Sequence, residues 1–224
     1  MNAGTLIVEK TLAPPFVGFS AKDFDLFAVE GLEPRMAELK EHLRPKLTVI
    51  GEQMAPVLSV ALGREMYPHV AKHARRKTNP PNDSWVAFSE DPRGYKKWPT
   101  FMVGLWYTHL FVQFGVIYES PIKGRFGDAM LHFYDQIRAI LPMSYEVFPD
   151  HTKPDGIPLS NVSSEQFADL IDNLTKKRQA DLLFGLRISR EEVLSMSSSD
   201  SMNRILDAGG KLAKLYSIAK GDFA

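Results

Sequence analysis

Residues 101–118 read FMVGLWYTHLFVQFGVIY, an apolar and aromatic stretch that is interrupted by Gly104 and Gly115. Turn-forming residues precede it, because residues 90–94 read EDPRG. Short apolar segments that are bounded by Pro, Gly, Asn and Asp are typical of antiparallel strands. We therefore predict strands over 100–106 and 109–118, joined in a hairpin that turns near Tyr107–Thr108.

Four other segments have the same character. Residues 66–73 and 84–89 are predicted strands, separated by the turn cluster TNPPND. YEVF at 145–148 and LLFGLRIS at 182–189 are further candidates. The side chains that we expect to bury on one face of the sheet are Trp85, Phe88, Val103, Leu105, Leu110, Val112 and Phe114.

Helical periodicity flanks the strands. The first stripe has apolar residues at spacings of three and four, at Met36, Leu39, Leu43, Leu47, Ile50, Met54 and Leu58. Pro45 and Pro56 interrupt it, so a kink or two consecutive helices are expected, with Gly63 as the stop. Later helices are predicted over about 126–140 and 200–217, and capping boxes are predicted to open helices at Ser163 (with Gln166) and Ser189 (with Glu192).

The strands cluster between helices instead of alternating with them. This order favours an α+β fold with a central, mostly antiparallel sheet packed by helices. We predict a single domain over residues 21–224. Residues 1–20 are predicted to form an extended N-terminal arm that is loosely attached, since Pro14 and Pro15 block helix there.

The composition narrows the class of protein. The 224 residues include 27 Lys plus Arg, 27 Asp plus Glu and no cysteine. Because the net charge is zero, the molecule as a whole does not attract polyanions electrostatically. The lack of cysteine excludes disulfides and thiolate chemistry. The first residues do not resemble a signal peptide, and no apolar run approaches about 18 residues. We therefore expect a soluble, cytoplasmic protein with no membrane partner.

Two long strings carry a family resemblance: MYPHVAKHARRKTNPPNDSWVAFS at 66–89 and RGYKKWPTFMVGLWYTHLFVQFGVIYES at 93–120. They resemble the YktB-like family (UPF0637), uncharacterised proteins of Bacillus and its relatives. The resemblance begins near Lys22 with DFDLFAVEGLEPRM, continues past DHTKPD at 150–155 and covers roughly nine tenths of the chain. It implies a cytoplasmic α+β protein without an assigned activity, and it carries over no catalytic or binding residues.

The strongest candidate site is a local concentration of cations and rings. Between Lys72 and Lys97 there are seven Lys or Arg against three acidic residues. Cations beside aromatic rings are suited to phosphate contacts and base stacking, so we predict a concave surface that binds a phosphorylated ligand or nucleic acid. The alternative is a solvated edge that protects the sheet from aggregation. The candidate residues are His69, Lys72, His73, Arg75, Arg76, Lys77, Tyr95, Lys96 and Trp98.

The histidines offer a second kind of site. His69 and His73 would share a face on a helix or on a strand, and His109 or Asp150 could complete a metal site. However, Val70 follows His69 where a metalloprotease motif has Glu, and the adjacent Arg75–Lys77 would repel a cation. We therefore predict no metal and no cofactor.

Two other classes of function stay open. A metal-independent enzyme could use His69, His73 or His109 with Asp150, because a histidine among aromatic residues can act as a general base. His109 within WYTHLF is otherwise a satisfied core histidine, and an Asx turn would explain Asp150. The third possibility is a structural or interaction protein with no ligand site.

Overall fold

The computed structural model describes residues 14–220, and the side chains of residues 14–218. Its centre is an antiparallel sheet of seven strands in the order β1-β2-β3-β4-β7-β5-β6. The strands are β1 (Tyr67–Val70), β2 (Asp83–Ser89), β3 (Thr100–Trp106), β4 (His109–Val116), β5 (Glu146–Phe148), β6 (Ile157–Pro158) and β7 (Leu182–Ser189). The single-domain α+β prediction is confirmed.

The predicted hairpin is confirmed. β3 and β4 pair directly on either side of Tyr107–Thr108, with Leu105 opposite Leu110 and Phe101 opposite Phe114. β1 is shorter than predicted. It ends at Val70, and the chain then leaves the sheet through the loop 71–82.

Helices pack on one face of the sheet. They are α1 (Ala21–Asp25), α2 (Leu32–Glu38), α3 (Arg44–Leu62), α4 (Lys123–His132), α5 (Tyr134–Ile140), α6 (Ser164–Lys176), α7 (Arg190–Ser195) and α8 (Ser198–Lys220). The predicted stripe from Leu39 to Leu58 is buried. A π-helical segment, Leu39–Leu43, joins α2 to α3 just before Pro45, and α3 ends at Gly63 in the left-handed conformation (φ 61°).

Two predicted helix features differ in detail. The helix expected over 126–140 is divided into α4 and α5 at Phe133, where the backbone leaves helical values (φ −101°, ψ 22°). Ser163 and Gln166 form the predicted capping box at the start of α6. At the start of α7 only half of the predicted box forms, since Ser189 accepts a hydrogen bond from the Glu192 amide at 3.2 Å.

The helix-covered face, which we call the helix face, is the larger part of the core. Side chains from β2, β3, β4 and β7 alternate onto it and meet α3, α4, α6 and α8. Six of the seven predicted core residues lie there. Trp85 was wrongly assigned to this face: it is an odd number of residues from Phe88, so the strand period of two directs it to the opposite side.

That opposite side, the loop face, has its own apolar cluster without a helical residue: Ala87, Met102, Trp106, Phe111, Ile117, Phe148 and Leu183, with Trp85 and Tyr95 packed against them. Polar side chains that are also buried on this side include Asp83, His109 and Gln113. Gly115 shows how tightly strands pack there, because a Cβ atom would overlap the Leu182 carbonyl.

The predicted N-terminal arm falls mostly on residues 1–13, which lie outside the described residues. Residues 14–20 have no regular secondary structure, yet Phe16 is buried and its ring lies 5.1 Å from that of Phe19. Gln53 on α3 donates a hydrogen bond to the Pro14 carbonyl at 3.0 Å. Between residues 14 and 220, the helices lack the combination of length and apolar composition that crossing a bilayer requires.

Candidate functional site

A pocket of about 390 Å³ lies where the loop 71–82 meets the side chains of the loop 90–99. The second loop folds back over the sheet because the Ser89 hydroxyl donates to the carbonyls of Asp91 (3.3 Å) and Gly94 (2.9 Å). The pocket is lined by Val70, Ala71, Lys72, His73, Ala74, Arg75, Arg76, Trp85, Tyr95 and Lys96. We call it the basic-aromatic pocket.

His73 has the most constrained backbone of the pocket. Its φ of 51° is the only positive value at a non-glycine residue in the described part of the chain. Such a conformation is uncommon for residues with a side chain and marks a site worth inspection. The ring is held by a 3.0 Å hydrogen bond between Nε2 and Ser84 Oγ and by an edge contact with Trp85 at 5.4 Å.

The charge state of His73 follows from its surroundings. Burial, followed by the charges of Arg76 and Arg44, lowers the pKa of His73 to about 4. The imidazole is therefore neutral at pH 7. It can form a hydrogen bond with Ser84 or with a ligand, but it adds no positive charge to the pocket.

The positive charge comes from three residues of the loop. Lys72, Arg75 and Arg76 are exposed, and no carboxylate within residues 14–220 forms an ion pair with them. The Arg76 guanidinium makes only long hydrogen bonds within the described residues, of 3.3 and 3.4 Å, to the carbonyls of Asn79 and Pro80. Lys96 differs, since its Nζ lies 2.6 Å from Glu119 Oε1. The loop thus presents cations whose charge is not neutralised.

The aromatic wall consists of Trp85 and Tyr95. Trp85 Nε1 donates a hydrogen bond to the Tyr95 hydroxyl at 3.2 Å, which fixes the two rings relative to each other. Burial raises the pKa of Tyr95 to about 12, so the hydroxyl keeps its proton. Sequence reasoning assigned stacking to Tyr95 and Trp98, whereas Trp98 is absent from the pocket lining and Trp85 is present.

Six of the nine predicted residues line this pocket: Lys72, His73, Arg75, Arg76, Tyr95 and Lys96. The other three do not. His69 lies on β1, with Nε2 2.9 Å from the Asp91 carbonyl oxygen. Lys77 is exposed further along the loop, and Trp98 is half-buried in the loop 90–99.

Asp83 lies close to the pocket, and sequence reasoning did not select it as a site residue. It is the first residue of β2, and only 8% of its surface is exposed. Burial raises the pKa of Asp83 to about 7, although the charges of His151 and Arg76 act in the opposite direction. A carboxyl group that exchanges its proton near neutral pH therefore lies within electrostatic range of Arg76.

The pairing of His69 with His73 that was considered from sequence does not form. β1 ends before His73, so the two residues are not on a common strand. His69 Nε2 is hydrogen bonded to the Asp91 carbonyl, whereas His73 Nε2 is hydrogen bonded to Ser84 Oγ. His109 is buried at the start of β4, where its Nδ1 lies 2.8 Å from Thr108 Oγ1. Burial and the charge of Arg187 lower the pKa of His109 to about 4. It is a neutral core histidine.

Asp150 is likewise separate from these histidines. Its Oδ1 accepts hydrogen bonds from the Thr152 amide and hydroxyl, which form the Asx turn considered from sequence. The geometry therefore gives no hydrogen bond between Asp150 and His69, His73 or His109 among the described residues. The proposed enzyme constellation is not assembled.

A different pair was missed. Buried Asp181 accepts hydrogen bonds from His151 Nδ1 (2.5 Å) and the His151 amide (2.8 Å), and it also accepts one from the Tyr118 amide (2.5 Å). Burial alone would lower the pKa of His151, but hydrogen bonding to Asp181 and the surrounding carboxylates raise it. No sequence signal joins these residues, since 30 positions separate them.

Asp150, His151 and Asp181 have donor atoms within 4.8 Å of one another, and within the described residues this is the group suited to a metal ion. The imidazole and Asp181 already satisfy each other, however, and Asp181 also accepts two backbone amides. We therefore interpret the pair as a clamp between the loop after β5 and the start of β7.

Comparison with known proteins identifies the family. The model "Domain of unknown function (DUF1054)" matches residues 19–216. A UPF0637 protein of Bacillus velezensis is 48% identical over 202 residues, which cover 90% of this chain and 96% of the relative. UPF0637 proteins of Bacillus licheniformis (45% over 202 residues; 90% and 96%) and Bacillus cytotoxicus (42% over 200 residues; 89% and 96%) are similar to it over nearly the same span. The chain therefore belongs to the UPF0637 family.

Proposed function

We propose that the basic-aromatic pocket binds a phosphorylated small molecule. The observation that carries the proposal is the convergence of Lys72, Arg75 and Arg76 with Trp85 and Tyr95 on one concavity. A phosphoryl group and a flat ring are the two chemical features that such a set of side chains complements.

The phosphoryl group would be bound by the loop. Arginine offers parallel N–H donors that match two phosphate oxygens, and lysine adds a point charge. Because Arg75 and Arg76 have no carboxylate partner among residues 14–220, a ligand would not have to break an ion pair to reach them. His73, neutral and hydrogen bonded to Ser84, is suited to orienting the ligand instead of attracting it.

The ring would be bound by Trp85 and Tyr95. Both are half-buried, so each keeps some surface for contact with a ligand. Stacking of this kind contributes about 1–3 kcal/mol per base in nucleic-acid complexes. A nucleotide combines both features in one molecule.

A small molecule is favoured over a nucleic acid by size and by charge. Sites for small ligands have volumes of about 300–1,000 Å³, and the pocket falls within this range. A nucleic-acid strand needs a long cationic track, whereas Glu119 neutralises Lys96 at one side of this pocket. The chain as a whole has zero net charge.

Calorimetric titration with adenosine triphosphate and with a single-stranded oligonucleotide tests the proposal at low and moderate salt. The variant is Arg75→Ala with Arg76→Ala. The control, Lys177→Ala with Arg178→Ala, removes the same charge from two adjacent exposed residues that follow α6. We expect the triphosphate to bind at least tenfold more weakly to the first variant, about 1.4 kcal/mol, and equally well to the control and the wild type.

Either of two results would contradict the proposal: equal weakening in both variants, or no binding of triphosphate by the wild type. Tighter binding of the oligonucleotide than of the triphosphate, with a steep salt dependence, would assign the pocket to nucleic acid instead.

A further inference from the structure

The loop residues that line the basic-aromatic pocket also border a larger hollow on their other side. It has a volume of about 960 Å³ and lies between the segment 70–76 and the helical segments from Leu32 to Thr48. We call it the helix groove. Its apolar lining is Leu32, Met36, Ala37, Val70 and Ala74, and its charged lining is Glu33, Lys40, Glu41, Arg44, Lys72 and Arg76.

The two hollows have a common wall. Val70, Lys72, His73, Ala74 and Arg76 line both of them. Ala74 is exposed, and its methyl side chain makes it the smallest residue of that wall. A ligand bound in the pocket can therefore extend over Ala74 into the groove without displacing a large side chain.

The width of the groove is set by a direct link between its sides. Arg44, the first residue of α3, donates a 2.6 Å hydrogen bond from Nη2 to the Lys72 carbonyl. Lys40 and Glu41 belong to the π-helical segment, whose wider turn alters the direction of the side chains relative to a continuous α-helix. Short π segments inside α-helices occur frequently at functional sites.

We propose that the helix groove holds the apolar chain of an amphiphilic phosphate whose phosphoryl group is bound by the basic-aromatic pocket. The inference rests on the proposed function, because it names the class of phosphorylated ligand. It is carried by the five residues that line both hollows and by the apolar side chains of Leu32, Met36 and Ala37, which only the groove adds.

The charges that line the groove favour a phosphate as the head group of the amphiphile. Four cations, Lys40, Arg44, Lys72 and Arg76, line the groove against the two carboxylates of Glu33 and Glu41. The charged residues of the wall that the groove shares with the pocket, Lys72 and Arg76, are both positive. A neutral or cationic amphiphile would gain the apolar contacts but would place no negative charge beside these cations.

The test compares alkyl phosphates of increasing length. Butyl, hexyl and octyl phosphate are titrated calorimetrically into the full-length protein, each below its micellar concentration. Burial of one methylene contributes about 0.8 kcal/mol at most, or on the order of fourfold in affinity. We expect affinity to rise at least tenfold from butyl to octyl phosphate, and we expect octyl glucoside to bind far more weakly than octyl phosphate.

Two variants test whether the alkyl chain of the ligand binds in the helix groove. Ala37→Trp fills the groove from the exposed surface of α2, and Ala74→Trp raises the common wall. Ala139→Trp, at an exposed alanine of α5, is the matched control. Ala37→Trp is expected to bind butyl phosphate as the wild type does and to lose the gain from the longer chains, whereas the control keeps it. Circular dichroism and thermal unfolding verify that each variant is folded.

The possible failures are distinguishable. If affinity is independent of chain length while still depending on Arg75 and Arg76, the groove inference is overturned and the phosphate pocket stands. If octyl glucoside binds as tightly as octyl phosphate, or if Ala139→Trp weakens long chains as much as Ala37→Trp, the inference is also overturned. If no alkyl phosphate binds and triphosphate binding does not depend on the arginines, the proposed function fails as well.

Discussion

The two faces of the sheet are formed by the same strands but differ in what covers them and in the polarity of their buried side chains. The helix face is covered by the helices and consists of aliphatic and aromatic side chains in one cluster. The loop face is covered by loops, and its smaller apolar cluster lies beside the buried polar groups of Asp83, His109 and Glu146. We infer that the helix face provides most of the stability, whereas the proposed binding pocket adjoins the loop face through Trp85 and Tyr95.

This division has a physical reason. A helix can cover a sheet only with an apolar stripe, because polar groups buried between the two need hydrogen-bond partners that the helix backbone does not offer. A loop has free backbone groups, as the bond between His69 Nε2 and the Asp91 carbonyl shows. Polar side chains are therefore better tolerated under loops than under helices.

The largest expected effect separates the faces by stability. Phe114 is fully buried on the helix face and lies 4.6 Å from the ring of Phe101 and 5.8 Å from that of Tyr216. Removing a buried phenyl ring costs its transfer free energy and leaves a cavity. We expect Phe114→Ala to lower the free energy of unfolding by about 3–5 kcal/mol, measured by urea denaturation.

Trp85→Ala is the comparison on the loop face. Since Trp85 is half-buried and lines the basic-aromatic pocket, we expect a loss of only about 1–2 kcal/mol of stability. Its affinity for adenosine triphosphate should fall about tenfold, which corresponds to the loss of one stacking contact. A Trp85→Ala protein as unstable as Phe114→Ala would break the distinction between the faces.

Sequence patterns predicted the helix face better than the loop face. The hairpin at 100–116 and the strand 182–189 were predictable because short apolar segments bounded by turn residues are local signals. The order of the strands was not, since nothing local indicates that β7 lies between β4 and β5. The position of Trp85 was an error of parity, which the strand period would have corrected.

The candidate site was partly predictable for the same reason. The cations of the loop 71–82 all lie between Lys72 and Lys77, so their clustering was visible without a structure. The contribution of Asp83 was hidden, because its raised pKa depends on burial. The bond between His151 and Asp181 joins residues 30 positions apart, a distance over which composition and periodicity carry no information.

A second, smaller effect concerns the buried carboxyl of the loop face. The pKa of Asp83 is raised from 3.8 to about 7 by burial, so between these pH values the native state binds a proton that the unfolded state has released. Stability must therefore fall as the pH rises through this window. We expect Asp83→Asn to exceed the wild type in stability by on the order of 2 kcal/mol at pH 8 and by much less below pH 5.

Urea denaturation across pH 4–8 measures this difference. Asp128→Asn is the control, because it removes the same charge from an exposed position on α4, on the helix-covered side of the sheet. It should leave the slope of stability against pH between 5 and 8 unchanged. A flat wild-type profile in that range would show that the Asp83 carboxyl is ionised at neutral pH and is not strongly desolvated.

The smallest effect is a difference in protonation among three histidines beside the loop face. Burial lowers the pKa of both His73 and His109 to about 4, and neighbouring arginines act in the same direction. His151 is also buried, but the Asp181 carboxylate accepts its Nδ1 hydrogen and raises its pKa above the ordinary value of 6.5. In a nuclear magnetic resonance titration from pH 8 downward, His151 should gain its proton first, and His73 and His109 should stay neutral until the pH approaches 4. Asp181→Asn removes the charge that stabilises the His151 imidazolium, so it should bring the titration of His151 to lower pH without moving that of His109.

If His73 were protonated at pH 6, it would add a fourth cation to Lys72, Arg75 and Arg76, and the affinity for phosphate would rise between pH 7 and 6. The phosphate and the Asp83 carboxyl also titrate in this range, so a neutral His73 predicts the same change of affinity in the wild type and in His73→Asn. A smaller rise in His73→Asn than in the wild type would show that the imidazole attracts the ligand instead of orienting it.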